Sequence, residues 1–243
     1  MINYNLAAKT YDNSRKSSLV TIDLINKKIS FNSIKNILDF GCGTGNYLND
    51  IQKKYSINCF GIEPSEEMRK IARNKNENII IKKGNHSDIP FNDNFFDFIY
   101  MTDVIHHVPN LHTMFKELHR VLKENNFLCI VTESHKQIEK RFYNIFFPSL
   151  IDNKKNRYPD INEIIDTSVA NHFIVDEIQE NIKDKTVTIQ DSFIKLIEEK
   201  GYSMFRQLSE EEYRNGLEKL RGNCGEIINC EGAGEILLWL KRK

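Results

Sequence analysis

The segment Ile37–Asn46 constrains the fold more than any other part of the sequence. An apolar run ends here at Asp39-Phe40, and three glycines then alternate, Gly41, Gly43 and Gly45, before a helical pattern begins. Glycine adopts positive φ and allows a ligand to lie directly on the backbone. The N-terminus of the next helix offers N–H groups to a carboxylate or a phosphate. The segment therefore predicts a strand–loop–helix unit that binds an anionic group, and a dinucleotide is one ligand it leaves open.

Apolar segments and helical patterns alternate along the first half of the chain. Strands are predicted at 35–40, 57–62, 79–82, 96–101 and 126–132, with helices at about 18–29, 45–55 and 111–122 and another opened by Pro64-Ser65. Strands that are apolar on both faces and alternate with helices indicate a parallel sheet covered on both sides. In the second half, 172–182 and 234–241 alternate like half-buried strands, and a charged helical stretch covers about 189–221.

Composition excludes several classes of protein. Of the 243 residues, 34 are basic and 34 are acidic, which disfavours a strongly basic nucleic-acid binder. No apolar run reaches the roughly 18 residues of a membrane span, and the opening residues lack the blocks of a secretion signal. The 5 cysteines include no close pair, so we expect reduced thiols and a cytoplasmic location. These cysteines are Cys42, Cys59, Cys129, Cys224 and Cys230.

Glu63 narrows the choice of ligand. It ends the second predicted strand, about twenty residues beyond the glycine loop, where an acidic side chain can accept hydrogen bonds from both hydroxyls of a ribose. The same residue also suits the positive end of a helix. The two roles are compatible, and ribose binding is the favoured interpretation.

The chain resembles the class I S-adenosylmethionine-dependent methyltransferases, in particular the small-molecule branch that includes the ubiquinone/menaquinone methyltransferases. The resemblance covers about residues 35–133, in order and at the spacing of the family. It rests on blocks at 37–48, 61–68, 84–91, 96–110 and 115–123. It implies one methyltransferase domain, 1–243, with a Rossmann-like, doubly wound α/β sheet of seven mostly parallel strands. The terminal antiparallel hairpin would then be 172–182 with 234–241.

The resemblance also divides the chain by role. Residues 1–30 would form an N-terminal helical lid and 35–133 the cofactor-binding core. Segments 134–170 and 183–226 would be helical insertions that cap the substrate site. The cofactor would be S-adenosylmethionine, leaving S-adenosylhomocysteine as product.

Roles for the cofactor-binding residues follow from the same resemblance. Asp39 and the glycine-loop backbone would hold the methionyl end, and Glu63 the ribose. The family usually has an Asp where this chain has Asn85, which can accept a hydrogen bond from adenine through its side-chain oxygen. The full implied set is Asp39, Gly41, Cys42, Gly43, Gly45, Asn46, Glu63, Pro64, Asn85, His86, Met101 and Thr102.

Candidate catalytic residues follow the fourth strand. A methyltransferase mainly aligns its reactants and excludes water, and it sometimes removes a proton from the acceptor. Asp103, His106 and His107 are the candidates, since a histidine with a pKa of about 6.5 can accept a proton at neutral pH. In an alternative interpretation the two histidines only shape the pocket. Their spacing is not that of metal ligands, so no metal is expected.

Residues that select the acceptor are expected in the lid and the cap. Aromatic rings suit a flat or apolar acceptor, and arginines suit a carboxylate or phosphate. The aromatic residues could equally be ordinary core. The candidate set is Tyr11, Arg15, His107, Glu133, Phe142, Tyr143, Phe146, Arg157 and Tyr202.

The sequence therefore predicts methyl transfer to oxygen or nitrogen of a small molecule, by a monomer or homodimer without membrane or nucleic-acid partners. An RNA- or protein-modifying methyltransferase is an alternative, disfavoured because 103–106 do not form an Asn-Pro-Pro-Tyr-like block. A non-catalytic S-adenosylmethionine-binding scaffold is another alternative. A nicotinamide dehydrogenase is disfavoured because the glycine loop lacks the GxGxxG spacing.

Overall fold

A computed structural model describes residues 16–182, 186–199, 203–230 and 232–243. Most of its strands belong to one large sheet. These are β1 (Asn36–Phe40), β2 (Asn58–Ile62), β3 (Ile80–Lys82), β4 (Phe96–Thr102), β5 (Leu122–Thr132), β6 (Phe173–Ile182) and β9 (Gly234–Arg242). Strands β7 (Thr186–Thr188) and β8 (Ile227–Asn229) pair as a separate ribbon, which the sequence did not predict.

The large sheet has 7 strands in the order β3-β2-β1-β4-β5-β9-β6. The first five strands pair in parallel, and β9 lies antiparallel between β5 and β6. The predicted Rossmann-like sheet with a terminal antiparallel hairpin is confirmed. Because β1, β2, β4 and β5 run the same way, their last residues meet at one side of the sheet, called here the carboxyl edge.

Helices flank the sheet and also occur in the segments 134–170 and 183–226, which are called the cap below, although their role over a substrate is a prediction. They are α1 (Leu19–Ile29), α2 (Asn46–Lys54), α3 (Glu66–Lys75), α4 (Leu111–Val121), α5 (His135–Glu139), α6 (Leu150–Lys155), α7 (Ile161–Ala170), α8 (Asp191–Glu198) and α9 (Glu210–Gly222). Single 3-10 turns occur at Phe31–Ser33, Ile105–His107, Phe142–Ile145 and Ser203–Gln207. Among the described residues, none of the helices has the length and apolar content needed to cross a bilayer.

The side chains of each central strand alternate between two apolar layers. Leu38 and Met101 face one layer with α4 and α7, and Ile37 and Tyr100 face the other with α1 and α2. This period of two, with both faces buried, is what a parallel sheet covered by helices requires.

A third apolar cluster lies in the cap, where α6, α8 and α9 meet around Phe147 and Phe205. Helix α7 packs on the sheet and not in this third cluster, although the predicted cap segment 134–170 includes it. Its Ile161 and Ile164 pack in the sheet layer with α4 and Phe173. Residues three apart lie on the same helical face, so this short apolar stripe docks α7 on the sheet.

Candidate functional site

The glycine loop lies at the carboxyl edge between β1 and α2. Gly41, Gly43 and Gly45 have φ of 77°, 53° and 74°, a region that side-chain-bearing residues rarely adopt. A Cβ atom on Gly41 would come within 2.7 Å of Val104 Cγ1. The loop backbone therefore depends on glycine both for its conformation and for its close approach to the segment after β4.

Asp39 is the buried acid of this edge. Its side chain is only 2% exposed, and the Tyr100 hydroxyl donates to Oδ2 at 3.1 Å. Within the described part of the chain, the other carboxylate oxygen, Oδ1, has no hydrogen-bond partner. Burial raises the pKa of Asp39 to about 7, and the nearby charge of Glu63 adds to the shift, whereas the bond from Tyr100 opposes it.

Glu63 joins the second strand to the glycine loop. Its Oε2 accepts the N–H of Gly43 at 3.1 Å, and its Oε1 accepts the N–H of Ser65 at 2.8 Å. Burial raises the pKa of the Glu63 carboxyl against these two backbone bonds. A carboxylate has about four acceptor sites, so Glu63 can brace the loop and still accept from two hydroxyls.

A pocket opens between the loop and the end of β4. It brings together five of the predicted cofactor residues, Asp39, Gly41, Cys42, Asn46 and Thr102, and adds the candidate catalytic residue Asp103. Lys16, Thr44 and Tyr47 also line it. Sequence reasoning missed these three, although Thr44 and Tyr47 lie inside the first family block and Lys16 lies in the predicted lid.

The pocket fits the amino-acid end of S-adenosylmethionine. The unpartnered Oδ1 of Asp39 is a buried acceptor that an ammonium group would satisfy, because a buried polar atom without a partner costs free energy. Thr102 lines the pocket wall. Met101 directly precedes it on β4 and is fully buried. Cofactor roles for these residues remain predictions.

The predicted adenine contact already has another partner. Asn85 is exposed, and its Oδ1 accepts from the N–H and the hydroxyl of Ser87 at 2.8 and 2.9 Å. Asn85 and Asp88 also form an isolated backbone bridge around the half-buried His86. The side-chain oxygen of Asn85 therefore holds a tight turn, which limits what it can offer to a base.

The candidate catalytic residues follow β4 in a sharp turn. Asp103 has φ of 55°, and the 3-10 turn that follows carries both histidines. The His106 ring is half-buried and stacks on Tyr158 at 4.1 Å with an interplanar angle of 14°. His107 is exposed, with its ring centroid 4.0 Å from that of His106. His106 thus joins the carboxyl edge to the cap.

A charged cluster lies where the cap meets the end of β5. Glu133, 3% exposed, forms ion pairs with Arg141 and with the buried Lys154, which also donates to the Tyr143 hydroxyl at 3.2 Å. Burial alone would raise the pKa of Glu133, but Lys154 and Arg141 hold it below its usual range. Arg141 also donates to the Gly234 carbonyl oxygen at 2.9 Å, which ties the cap to β9. We call these four side chains, Glu133, Arg141, Tyr143 and Lys154, the cap cluster.

The other residues predicted to select the methyl acceptor do not form one group in the structure. Phe142, Tyr143 and Phe146 pack in the apolar layer of the cap, and Arg157 is half-buried after α6. Tyr11, Arg15 and Tyr202 lie outside the described residues. Lys154 was not predicted as a site residue, because a Lys-Lys pair in a polar stretch is typical of a solvated surface.

The chain is similar in sequence to known methyltransferases. Residues 38–130 match the family model of a methyltransferase domain. Demethylmenaquinone methyltransferase of Lactococcus lactis is 27% identical over 168 residues, which cover 65% of this chain and 64% of the relative. Ajmaline N-methyltransferase of Rauvolfia serpentina is 29% identical over 110 residues, 43% of this chain and 38% of the relative. The chain spans about two thirds or less of the length of the curated relatives it matches.

The fold has close counterparts among solved structures. A candidate methyltransferase from an antibiotic biosynthesis pathway of Anabaena variabilis aligns over 95% of this chain and 99% of its own, with a TM-score of 0.76 and 17% identity. By the family match, the relatives and the fold, the chain is similar to the class I S-adenosylmethionine-dependent methyltransferases. Within that class it is similar to the ubiquinone/menaquinone methyltransferases.

Proposed function

We propose that this protein transfers the methyl group of S-adenosylmethionine to an oxygen or nitrogen atom of a small molecule. The observation that carries the proposal is the pocket at the carboxyl edge, which Asp39 lines together with a glycine loop braced by Glu63. One oxygen of Asp39 has no hydrogen-bond partner among the described residues. Relatives named for a quinone and an alkaloid substrate support a small-molecule acceptor.

When bound, S-adenosylmethionine supplies an electrophilic methyl group on a positively charged sulfur. Asp39 would hold the ammonium of the cofactor, and Glu63 the ribose hydroxyls. The cap would cover the acceptor and exclude water, so that the acceptor atom is held in line with the methyl carbon.

His106 is the favoured proton acceptor of the two histidines. It is half-buried against Tyr158 of the cap, whereas His107 is exposed to solvent. The imidazole of His106 would accept the proton of the acceptor O–H or N–H as the lone pair of that atom takes up the methyl group. The electron pair of the broken methyl–sulfur bond would stay on the sulfur of S-adenosylhomocysteine. A His106→Gln variant should lose at least about a hundredfold in kcat, together with the acidic limb of the pH–rate profile. His107→Gln is the matched control. It should keep the kcat of the unchanged protein and the acidic limb of the pH–rate profile.

Binding is tested first, with S-adenosylhomocysteine and the melting temperature. Saturation at about a hundred times Kd should stabilise the protein by about 2.7 kcal/mol. Glu63→Ala should remove most of this shift. Glu67→Ala should keep this stabilisation, since Glu67 is a half-exposed acid of α3 whose ion pair is with Lys70. An undiminished shift in the Glu63 variant would refute the ribose assignment.

Activity is tested with S-adenosylmethionine carrying a labelled methyl group and a panel of phenols, hydroquinones and amines. Label should enter an oxygen or nitrogen of at least one acceptor. Label only on carbon would refute the choice of atom. Label only in RNA or protein would refute the acceptor class, and binding without any turnover would indicate a scaffold.

A further inference from the structure

The described N-terminal residues bring a lysine to the cofactor pocket. Lys16 lines it together with the acidic residues Asp39 and Asp103. Of the side chains that line this pocket in the described chain, Lys16 is the one cation. We propose that Lys16 binds the α-carboxylate of S-adenosylmethionine, so that Asp39 and Lys16 together recognise the zwitterionic amino-acid end. This inference rests on the proposed function.

The backbone that directly follows Lys16 is anchored by contacts between α1 and α2. Ser17 donates to Asp50 of α2, and Ser18 caps α1 by accepting the N–H of Thr21 at 3.2 Å. Ile22 and Ile25 of α1 are buried in one apolar layer with Leu48 and Ile51 of α2. Helix α2 starts directly after the glycine loop. The packing of α1 on α2 therefore places Lys16, the residue before Ser17, near the loop.

The glycine loop offers the carboxylate few donors of its own. The N–H groups of Gly41 and Cys42 both donate to the Ile62 carbonyl oxygen, at 2.9 and 3.0 Å. The N–H of Gly43 donates to Glu63, and that of Gly45 to the Cys42 carbonyl oxygen at 2.8 Å. Four of the backbone donors that such a loop usually presents to an anion are thus engaged within the protein.

The electrostatics of the pocket also call for a cation. Asp39 and Asp103 line it, and Glu63 reaches the loop beside them. A ligand carboxylate would meet like charges there, which is unfavourable in a partly buried site. An ammonium at Lys16 offsets this repulsion and pairs with the carboxylate through a charge-assisted hydrogen bond.

Three ligands separate the two charges of the amino-acid end. S-adenosylhomocysteine carries ammonium and carboxylate, S-adenosyl-3-thiopropylamine carries only the ammonium, and 5′-methylthioadenosine carries neither. Their Kd values are measured by isothermal titration calorimetry. Lys16→Met should raise the Kd of S-adenosylhomocysteine about tenfold. It should change the Kd of each of the other two ligands less than twofold. Asp39→Asn should weaken both ammonium-bearing ligands and leave 5′-methylthioadenosine unchanged.

Further variants separate a specific contact from a general charge effect. Lys53→Met removes the same charge from an exposed position on α2 that does not line the pocket, and should bind all three ligands like the unchanged protein. Lys16→Arg should restore most of the affinity for S-adenosylhomocysteine. Added salt should lower the affinity for S-adenosylhomocysteine more in the unchanged protein than in Lys16→Met. The reason is that salt screens the ion pair between Lys16 and the ligand carboxylate.

The outcomes distinguish this inference from the proposed function. If the unchanged protein binds S-adenosylhomocysteine and Lys16→Met binds it equally well, the role of Lys16 is refuted and the proposed function stands. Equal weakening of all three ligands by Lys16→Met also refutes it. If the unchanged protein binds none of the three, the proposed function itself fails.

Discussion

Two buried carboxylates at the carboxyl edge have opposite electrostatic surroundings. Asp39 faces the pocket with one oxygen unpartnered in the described chain, and burial raises its pKa to about 7. Glu133 is as deeply buried, but Lys154 and Arg141 pair with both of its oxygens and hold its pKa below the usual range. Buried charge that the fold leaves unbalanced is typical of a ligand site. Buried charge balanced internally is expected to contribute to folding instead.

The largest expected effect comes from unbalancing the cap cluster. Glu133→Gln leaves Lys154 and Arg141 buried without their counter-ion, and breaking such a pair costs about 3–5 kcal/mol. Denaturant unfolding should show this loss. The fraction that remains folded should bind S-adenosylhomocysteine with unchanged Kd, because the cluster does not line the pocket beside the glycine loop.

Asp191→Asn is the matched control for Glu133→Gln. Asp191 pairs with Lys195 on α8, and both side chains are about two-thirds exposed, at 69% and 68%. Exposed pairs contribute at most about 1 kcal/mol, so this variant should differ little from the unchanged protein. Equal losses for the two variants would contradict the contrast between buried and exposed pairs. A parallel loss of cofactor affinity in Glu133→Gln would contradict the separation of the two sites.

A substitution in the glycine loop, unlike one in the cap cluster, should lower ligand affinity as well as stability. Gly41→Ala places a Cβ at positive φ and within 2.7 Å of Val104 Cγ1, so we expect a loss of about 2 kcal/mol in stability. Affinity for S-adenosylhomocysteine should fall more than tenfold, because the displaced loop forms the pocket wall. Stability is measured by denaturant unfolding and affinity by calorimetry.

Gly222→Ala provides the comparison for Gly41→Ala. Gly222 is the last residue of α9, and a Cβ there meets nothing within 4 Å. Alanine in a helix is favoured over glycine by about 0.5–1 kcal/mol, so this variant should be as stable as the unchanged protein or slightly more so. A tolerated Gly41→Ala with normal binding would show that the loop can relax away from Val104.

The same contrast explains what could be predicted from the sequence. The glycine-loop side of the pocket could be predicted because its groups lie on short stretches of backbone. Asp39 is the penultimate residue of β1, the glycines follow that strand, and Glu63 comes directly after the neighbouring strand β2. The cap cluster joins Glu133 after β5 to Arg141 and to Lys154 on α6. Their pairing depends on how the cap folds back, which no local pattern encodes. Lys16 was missed for a related reason, since only the packing of α1 on α2 brings it to the loop.

The pKa of Asp39 predicts two opposite pH dependences. Its carboxyl has a folded-state pKa of about 7 against an ordinary value of 3.8, so between these values the folded state binds more protons than the unfolded state. The unfolding free energy of the ligand-free protein should therefore fall as pH rises from about 4 to about 7. Affinity for S-adenosylhomocysteine should instead rise up to tenfold per unit as pH approaches 7 and then level off, because the ammonium binds the ionised form.

Calorimetry at pH 6 in buffers of different ionisation enthalpy measures the expected release of about one proton on binding. Asp39→Asn should lose the proton release and, above pH 7, should be more stable than the unchanged protein without ligand. Glu133→Gln should keep the proton release, since Glu133 does not line the pocket. Binding that does not vary between pH 5.5 and 8 would refute the ammonium contact at Asp39.

The smallest expected effect concerns adenine. Asn85→Asp supplies an acceptor-only side chain that can keep the turn with Ser87 and add a contact to the adenine amino group, so S-adenosylhomocysteine should bind about threefold more tightly. The inosine analogue, which lacks that amino group, should gain nothing. Ser87→Ala separates the turn from the base, because it removes the hydroxyl bond to Asn85 and leaves the backbone bond. If Asn85→Asp strengthens both ligands equally, the gain comes from a firmer turn, and position 85 then supports the pocket without contacting the base.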